Sequence, residues 1–130
     1  MSVYRKLTPN FLVASVERSL AFYVDVLGFT RGMTVPDASP YVFASVTSGA
    51  VEIFFNDARA ATAEYPLFES RTIGATGTLF LEVDDVDALH DRLKDQMSVV
   101  MPLVTQFYGM REFAITDPDG YVLTFAARVG

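Results

Sequence analysis

The chain has 130 residues, of which 51% are apolar and 20% are charged, and its formal net charge is −6. This length and apolar content predict one folded domain with a real core rather than a disordered chain. The lack of cysteine excludes disulfides, thiolate nucleophiles and sulfur metal sites, and the single histidine, His90, excludes a three-histidine zinc site. The acidic balance argues against a nucleic-acid partner and is compatible with cationic or neutral small ligands.

The N-terminal residues MSVYRKLTPN lack the apolar segment of a signal peptide, and no apolar run approaches the length of a membrane span. We therefore expect a cytoplasmic protein with no membrane partner.

The first half of the chain predicts one strand, one helix and three further strands. Residues 11–13 indicate a strand, Ser15 supplies an N-cap oxygen, and Gly28 can take the left-handed position that ends the helix. The following strands are predicted at 29–35, 41–47 and 51–56, the last two joined at Ser48 and Gly49. This order is one βαβββ unit.

The second half repeats the order. Residues 78–83 indicate a strand, Asp84 or Asp85 caps a helix, and strands follow at 99–105, 111–116 and 121–127. We expect a single domain, 1–130, built from a first unit at 1–56, a linker with room for a short helical turn at 57–75, and a second unit at 76–130.

Strand alternation separates a helix-packed face from a concave face in each unit. It sends Glu52 and Phe54 to the concave face of the first unit. A two-residue turn at 48–49 would place Ser45 opposite Glu52, Phe43 opposite Phe54 and Tyr41 opposite Asn56, which predicts an aromatic wall.

In the second unit, alternation sends Thr78, Phe80 and Glu82 to the concave face. The sequence Asp-Pro-Asp-Gly at 117–120 predicts a type I turn with a bulged three-residue loop, which adds Thr124 and Glu112 to that face. A four-residue loop would replace Glu112 with Phe113.

Several conspicuous polar residues are better explained by structure than by chemistry. Asp117 and Asp119 suit the turn, and His90 lies on or beside the core stripe of the second helix. For Arg111 a salt bridge with a nearby acid is the better interpretation, and the acids at 84–91 suit capping and a solvated helix face.

Two segments, RSLAFYVDVLGF at 18–29 and FYGMREFAITDPDGYVLTF at 107–125, resemble the vicinal-oxygen-chelate superfamily of glyoxalases, bleomycin-resistance proteins and extradiol dioxygenases. The resemblance implies an α+β fold in which two βαβββ units form a curved, incomplete barrel with the helices outside. It also places the superfamily's four metal-ligand positions at Thr8, Glu52, Thr78 and Thr124. Threonine hydroxyls are poor ligands for divalent metals, so we expect no metal and no cofactor.

Without those metal ligands, the sequence resembles the bleomycin-resistance branch of the superfamily, whose members bind an antibiotic in a groove between two subunits. The resemblance implies a homodimer that sequesters an aromatic compound. The carboxylates on the concave face would favour a compound that also carries a positive charge. The candidate ligand-binding residues are Thr8, Tyr41, Phe43, Glu52, Phe54, Thr78, Phe80, Phe107, Tyr108, Glu112 and Thr124.

Other interpretations stay open. The chain could be an enzyme, a lyase, isomerase or oxygenase that uses Glu52 as a general base or metal ligand. It could also be an interaction module whose aromatic residues only fill a core. The threonines at the metal-ligand positions favour binding over catalysis.

Overall fold

The computed structural model of the protein describes residues 3–73 and 77–130. Within them the strands form two separate four-stranded mixed sheets and no closed barrel. The chain divides into two compact units, the first of which ends at Ile73. No helix in the described ranges is long and apolar enough to cross a membrane.

Each unit follows the predicted βαβββ order. The elements are β1 (Asn10–Val13), α1 (Val16–Leu20), β2 (Thr30–Val35), β3 (Phe43–Ser48), β4 (Val51–Asp57), α2 (Ala58–Glu64), β5 (Thr78–Glu82), α3 (Val86–Leu93), β6 (Val99–Thr105), β7 (Met110–Thr116) and β8 (Val122–Arg128).

The strand order is β1-β4-β3-β2 in the first sheet and β5-β8-β7-β6 in the second, which is the same order twice. In each sheet the unit's first strand pairs in parallel with its last strand, and the other neighbours are antiparallel. The internal repeat expected from the sequence is therefore confirmed at the level of topology.

The first helix starts as predicted but changes its winding. The Ser15 side chain accepts a hydrogen bond from the backbone N–H of Arg18 at 3.1 Å, which is the expected N-cap. After five α-helical residues the chain continues as a π-helical turn, Ala21–Val26, and Gly28 follows with a φ of 83°. Apolar spacing over two turns does not distinguish the two windings, so the π-helical turn was not predicted.

One face of each sheet packs against its helix and carries the core. In the first unit the Tyr23 ring lies 4.8 Å from the Phe55 ring and 5.9 Å from the Phe29 ring. In the second unit Phe113 lies 5.3 Å from Phe125 and meets the His90 ring edge-on at 5.1 Å. His90 therefore packs on the core, as predicted.

The segment expected to be a linker is largely helical. Asp57 caps α2 by accepting a hydrogen bond from the N–H of Ala60 at 3.1 Å, and a 3₁₀ turn follows at Pro66–Ser70. Alanine has the highest helix propensity, so the sequence ARAATAE forms a helix without an apolar stripe. The last linker positions, 74–76, lie outside the described residues.

Candidate ligand-binding site

We call the sheet surface opposite the helix-packed core the open face of each unit. In the first unit it carries side chains from β1, β3 and β4, and its centre is the pair Phe43 and Phe54. Their rings meet edge-on with centroids 5.2 Å apart, and both are half-buried. Aromatic rings that are neither fully covered nor fully exposed offer area for stacking on a planar ligand.

The register between β3 and β4 differs from the prediction. Thr47 pairs with Glu52, Ser45 with Phe54 and Phe43 with Asn56, two residues away from the predicted alignment. The reason is the turn: its central residues are Gly49 and Ala50, with Gly49 at a φ of 55°, the positive φ at the first position that a type II′ turn requires. Because a two-residue shift preserves the side-chain alternation, the residues within β3 and β4 keep their predicted faces.

Tyr41 is not on this face. It precedes β3, its backbone N–H donates to Glu17 on α1 at 2.9 Å, and its ring lies 4.9 Å below the Arg31 guanidinium. The predicted pairing of Tyr41 with Asn56 is wrong because the turn is displaced by one position along the hairpin and β3 begins only at Phe43.

Glu52 lies at the edge of the open face and has a partner that the sequence did not suggest. The Lys6 ammonium contacts its carboxylate at 2.5 Å. The segment before β1 is held beside β4 because the Phe54 N–H donates to the Pro9 carbonyl at 2.9 Å, and Thr8, half-buried, lies between these two contacts. Strand alternation continued upstream of Asn10 would have identified Lys6, because Lys6, Thr8 and Asn10 share one side.

The open face of the second unit is the surface formed by β5, β8 and β7. Phe80 pairs with Thr124, and Thr124 pairs with Ala114 in the next strand. The Thr78 and Thr124 hydroxyls lie 3.0 Å apart, and the Thr78 hydroxyl also contacts the Val122 carbonyl at 3.1 Å. Phe80 is 52% exposed, so its ring is available to a ligand.

The final hairpin has the predicted bulged loop. The Asp117 N–H donates to the Tyr121 carbonyl, the Gly120 N–H donates to the Asp117 carbonyl, and Gly120 has a φ of 91°. Glu112 therefore pairs with Ala126 on the open face, while Phe113 points to the core.

Glu112 belongs to a small hydrogen-bonded group rather than to the accessible surface. It is 3% exposed and accepts hydrogen bonds from the Tyr108 hydroxyl at 2.7 Å and, more weakly, from Gln106 at 3.5 Å. The hydrogen bond to Glu112, followed by burial, raises the pKa of Tyr108 above its usual range. Glu112 therefore fixes the position of the Tyr108 hydroxyl.

Phe107 precedes Tyr108 in the loop between β6 and β7. Its side chain is 98% exposed and its ring meets the Tyr108 ring edge-on at 5.1 Å. The prediction that this pair could contribute ring surface stays a prediction.

Residues 8–125 match the sequence profile of the Glyoxalase/Bleomycin resistance protein/Dioxygenase superfamily. The chain belongs to this superfamily. The matched residues include β1 to β7 and most of β8, so both units of the protein contribute to the match.

Individual relatives agree with the superfamily assignment. A bleomycin resistance protein of Geobacillus stearothermophilus is 27% identical, and the alignment covers 93% of this chain and 95% of the relative. Among solved structures, a protein of unknown function from Agrobacterium tumefaciens has a TM-score of 0.79 at 24% identity, with 99% of this chain and 98% of the other covered.

A further solved structure is a complex with a ligand. The bleomycin-binding protein from Streptomyces verticillus, complexed with copper(II)-bleomycin, has a TM-score of 0.64 at 24% identity, with 100% of this chain and 99% of that one covered. At this identity the likeness shows a shared fold.

The superfamily includes metal enzymes, so the donor set of this chain decides whether a metal fits. Among the described residues, no three acidic or histidine side chains lie together so as to hold a metal ion. Of the residues that the resemblance places at the superfamily's metal-ligand positions, Thr78 and Thr124 contact each other, and Glu52 is paired with Lys6. Neutral hydroxyls and an already paired carboxylate do not suit a divalent metal.

Proposed function

We propose that the protein binds a small organic molecule with an aromatic ring system and a cationic group, and that it acts by sequestration. The observation that carries the proposal is the half-buried Phe43 and Phe54 pair on the open face of the first sheet, with the Glu52 carboxylate on the same face. The rings supply stacking area and the carboxylate supplies a charge of the right sign.

The comparisons support the class of ligand. Relatives of similar length are bleomycin resistance proteins, and drugs of the bleomycin type combine planar rings with a cationic part. A binding role needs no metal and no catalytic base, which agrees with the threonines at three of the four positions that resemblance assigns to metal ligands.

The proposal extends to the assembly. A homodimer would complete the binding groove, as the resemblance to the bleomycin-resistance branch implies. Exposed apolar side chains support self-association: Val100 on the edge strand β6 and Phe107 beyond it both face solvent in the described chain.

Calorimetric titration with a bleomycin-like compound and with a neutral planar analogue tests the site. Phe54→Ala should weaken both ligands by roughly twofold to tenfold, the equivalent of about 0.5–1.5 kcal/mol for a lost aromatic contact. Glu52→Gln should weaken only the cationic ligand, and that loss should shrink as salt rises, because exposed charges are screened over roughly 10 Å at 0.1 M.

Two matched variants control for general effects of substitution. Phe68→Ala removes a ring from the 3₁₀ turn, and Glu64→Gln removes a charge from the end of α2. Unchanged affinity in both Phe54→Ala and Glu52→Gln would place the site elsewhere. Absence of heat with either ligand would leave the function unassigned within the superfamily.

A further inference from the structure

The first unit contains a groove on the helix side of its sheet, away from the open face. Its volume is about 250 Å³, and it is lined by Glu17, Leu20, Ala21, Val24, Asp25, Arg31 and Tyr41. Sites for drug-sized ligands have volumes of roughly 300–1,000 Å³. The groove is therefore suited to a smaller metabolite than the ligand proposed for the open face.

One wall of the groove is apolar and comes from an irregular helix. Leu20 ends α1, and Ala21 and Val24 belong to the π-helical turn that follows. The wall offers contact area for a short aliphatic group.

The groove also contains a positive charge, the Arg31 guanidinium, whose position is fixed by Tyr41. The Arg31 guanidinium lies 4.9 Å from the centre of the Tyr41 ring and donates a hydrogen bond to the Tyr41 hydroxyl. This contact holds the guanidinium plane by a cation–π interaction and uses one of its five N–H donors. The remaining donors suit the bidentate recognition of a carboxylate.

Two carboxylates, Glu17 and Asp25, complete the lining of the groove. They differ in their contacts with the rest of the protein. Glu17 is committed to the protein, since it accepts hydrogen bonds from the Ser39 hydroxyl and from the Tyr41 N–H. Asp25 lies on the exposed side of the π-helical turn. Its carboxylate is thus placed to pair with a cationic group in the groove.

From these contacts we propose that the groove is a second binding site, for a free α-amino acid with an aliphatic side chain. The ligand carboxylate pairs with Arg31, its ammonium pairs with Asp25, and its side chain lies against Leu20 and Val24. A ligand with a single charge would leave either Arg31 or Asp25 without its counterpart. The groove therefore selects a zwitterion over a simple acid or amine.

Titration of ¹⁵N-labelled protein with three probes tests this inference. The probes are L-leucine, L-leucine amide, which keeps only the ammonium, and N-acetyl-L-leucine, which keeps only the carboxylate. L-leucine should produce saturable shifts in the amide signals of the Leu20–Val26 segment. Each analogue should bind roughly threefold to fivefold more weakly, as expected for the loss of one partly exposed charge pair of about 1 kcal/mol.

Variants identify the two charges. Asp25→Asn should abolish the preference for leucine over N-acetyl-leucine, and Arg31→Gln should abolish the preference over leucine amide. The matched controls are Asp95→Asn, after α3, and Arg59→Gln, on α2, and neither should change any affinity. The amide spectrum itself shows whether each variant is folded, and Arg31→Lys, which keeps the positive charge, provides a second test at this position.

Three results would overturn the inference: no saturable shift with leucine at millimolar concentration in the folded protein, equal affinities for leucine and both analogues, or shifts confined to residues outside the groove. The result is independent of the proposed function, because a bleomycin-like compound on the open face should leave leucine binding unchanged. Competition between leucine and the bleomycin-like compound would show that both bind at one site, and this result would also contradict the inference.

Discussion

At the scale of single residues, the contact between Lys6 and Glu52 controls the chemistry of the open face. The Glu52 carboxylate lies on the same face as the Phe43 and Phe54 rings, and its charge is compensated by Lys6. Lys6 comes from the exposed segment before β1, where its side chain is 61% exposed. A cationic ligand of the proposed kind would therefore compete with an exposed lysine for Glu52.

Removal of Lys6 should strengthen the binding of a cationic ligand. Lys6→Ala leaves Glu52 free to pair with the ligand, and the gain should be at most about fivefold, since an exposed ion pair contributes about 0.2–1 kcal/mol. Calorimetry at low salt measures the effect, and Arg5→Ala, the neighbouring cation, is the control. Weaker binding in Lys6→Ala would mean that the ammonium itself contacts the ligand.

Glu17 should make folding stability depend on pH. The hydrogen bond from the Ser39 hydroxyl, followed by that from the Tyr41 N–H, lowers the pKa of Glu17 below its ordinary value. The folded state thus favours the ionised carboxylate, and this stabilisation is present above the pKa of the unfolded chain, about 4.3, and is lost as pH falls through the lower folded pKa.

Glu17→Gln should therefore lower the free energy of unfolding at pH 7, and the difference from the natural protein should shrink as the pH falls below about 4.3. Urea unfolding at a series of pH values measures this difference. Glu69→Gln, an exposed glutamate in the 3₁₀ turn, serves as the control. A difference that does not vary with pH would show that the carboxylate charge is not what holds the loop before β3 to α1.

At the scale of elements, the hairpin between β7 and β8 determines which side chains reach the second open face. Asp117 holds the turn, because one oxygen of its carboxylate accepts hydrogen bonds from the N–H groups of Asp119 and Tyr121 at 2.9 and 3.0 Å. The side chain is buried, and the loop it stabilises places Glu112 rather than Phe113 on the open face, opposite Ala126.

Asp117→Ala should destabilise the protein by about 1–3 kcal/mol, because two N–H groups at a buried turn lose their acceptor. Asp117→Asn retains an oxygen in the same position and should cost clearly less. Thermal unfolding of the two variants gives the comparison. Equal losses would assign the effect to the negative charge rather than to the turn hydrogen bonds.

At the scale of the whole molecule, the exposed sheet edges bear on the proposed assembly. Each sheet has two edge strands, β1 and β2 in the first and β5 and β6 in the second. Unpaired strand edges with apolar side chains tend to associate with other chains unless they are covered. On β6, Val100 is 53% exposed and Val104 is also exposed. These surfaces support the proposal of a homodimer.

Light scattering at micromolar concentration should give twice the mass of one chain. Val100→Lys places a charge on the β6 edge and should shift the equilibrium toward monomer if that edge is part of the interface, whereas Val42→Lys, in the loop before β3, should not. A monomer mass for the natural protein would contradict the homodimer. A dimer that tolerates Val100→Lys would place the interface on another surface.

Local patterns in the sequence were enough to predict the βαβββ order of each unit, the cap Ser15, a second cap at Asp84 or Asp85, the two faces of each strand and the final hairpin. The structure places the second cap at Asp85. These features depend on neighbouring residues: alternation assigns faces, a short side-chain oxygen caps a helix, and Pro-Asp-Gly forms a turn. Their physical causes lie within a few positions along the chain.

Only the tertiary structure decided the features that depend on contacts between distant segments. The partners of Glu52 and Glu112 come from side chains that meet in space, and the β3–β4 pairing is fixed only when both strands are in place. Periodicity assigns a side chain to a face but not to a partner, because a shift of two residues leaves every face unchanged while it replaces every neighbour.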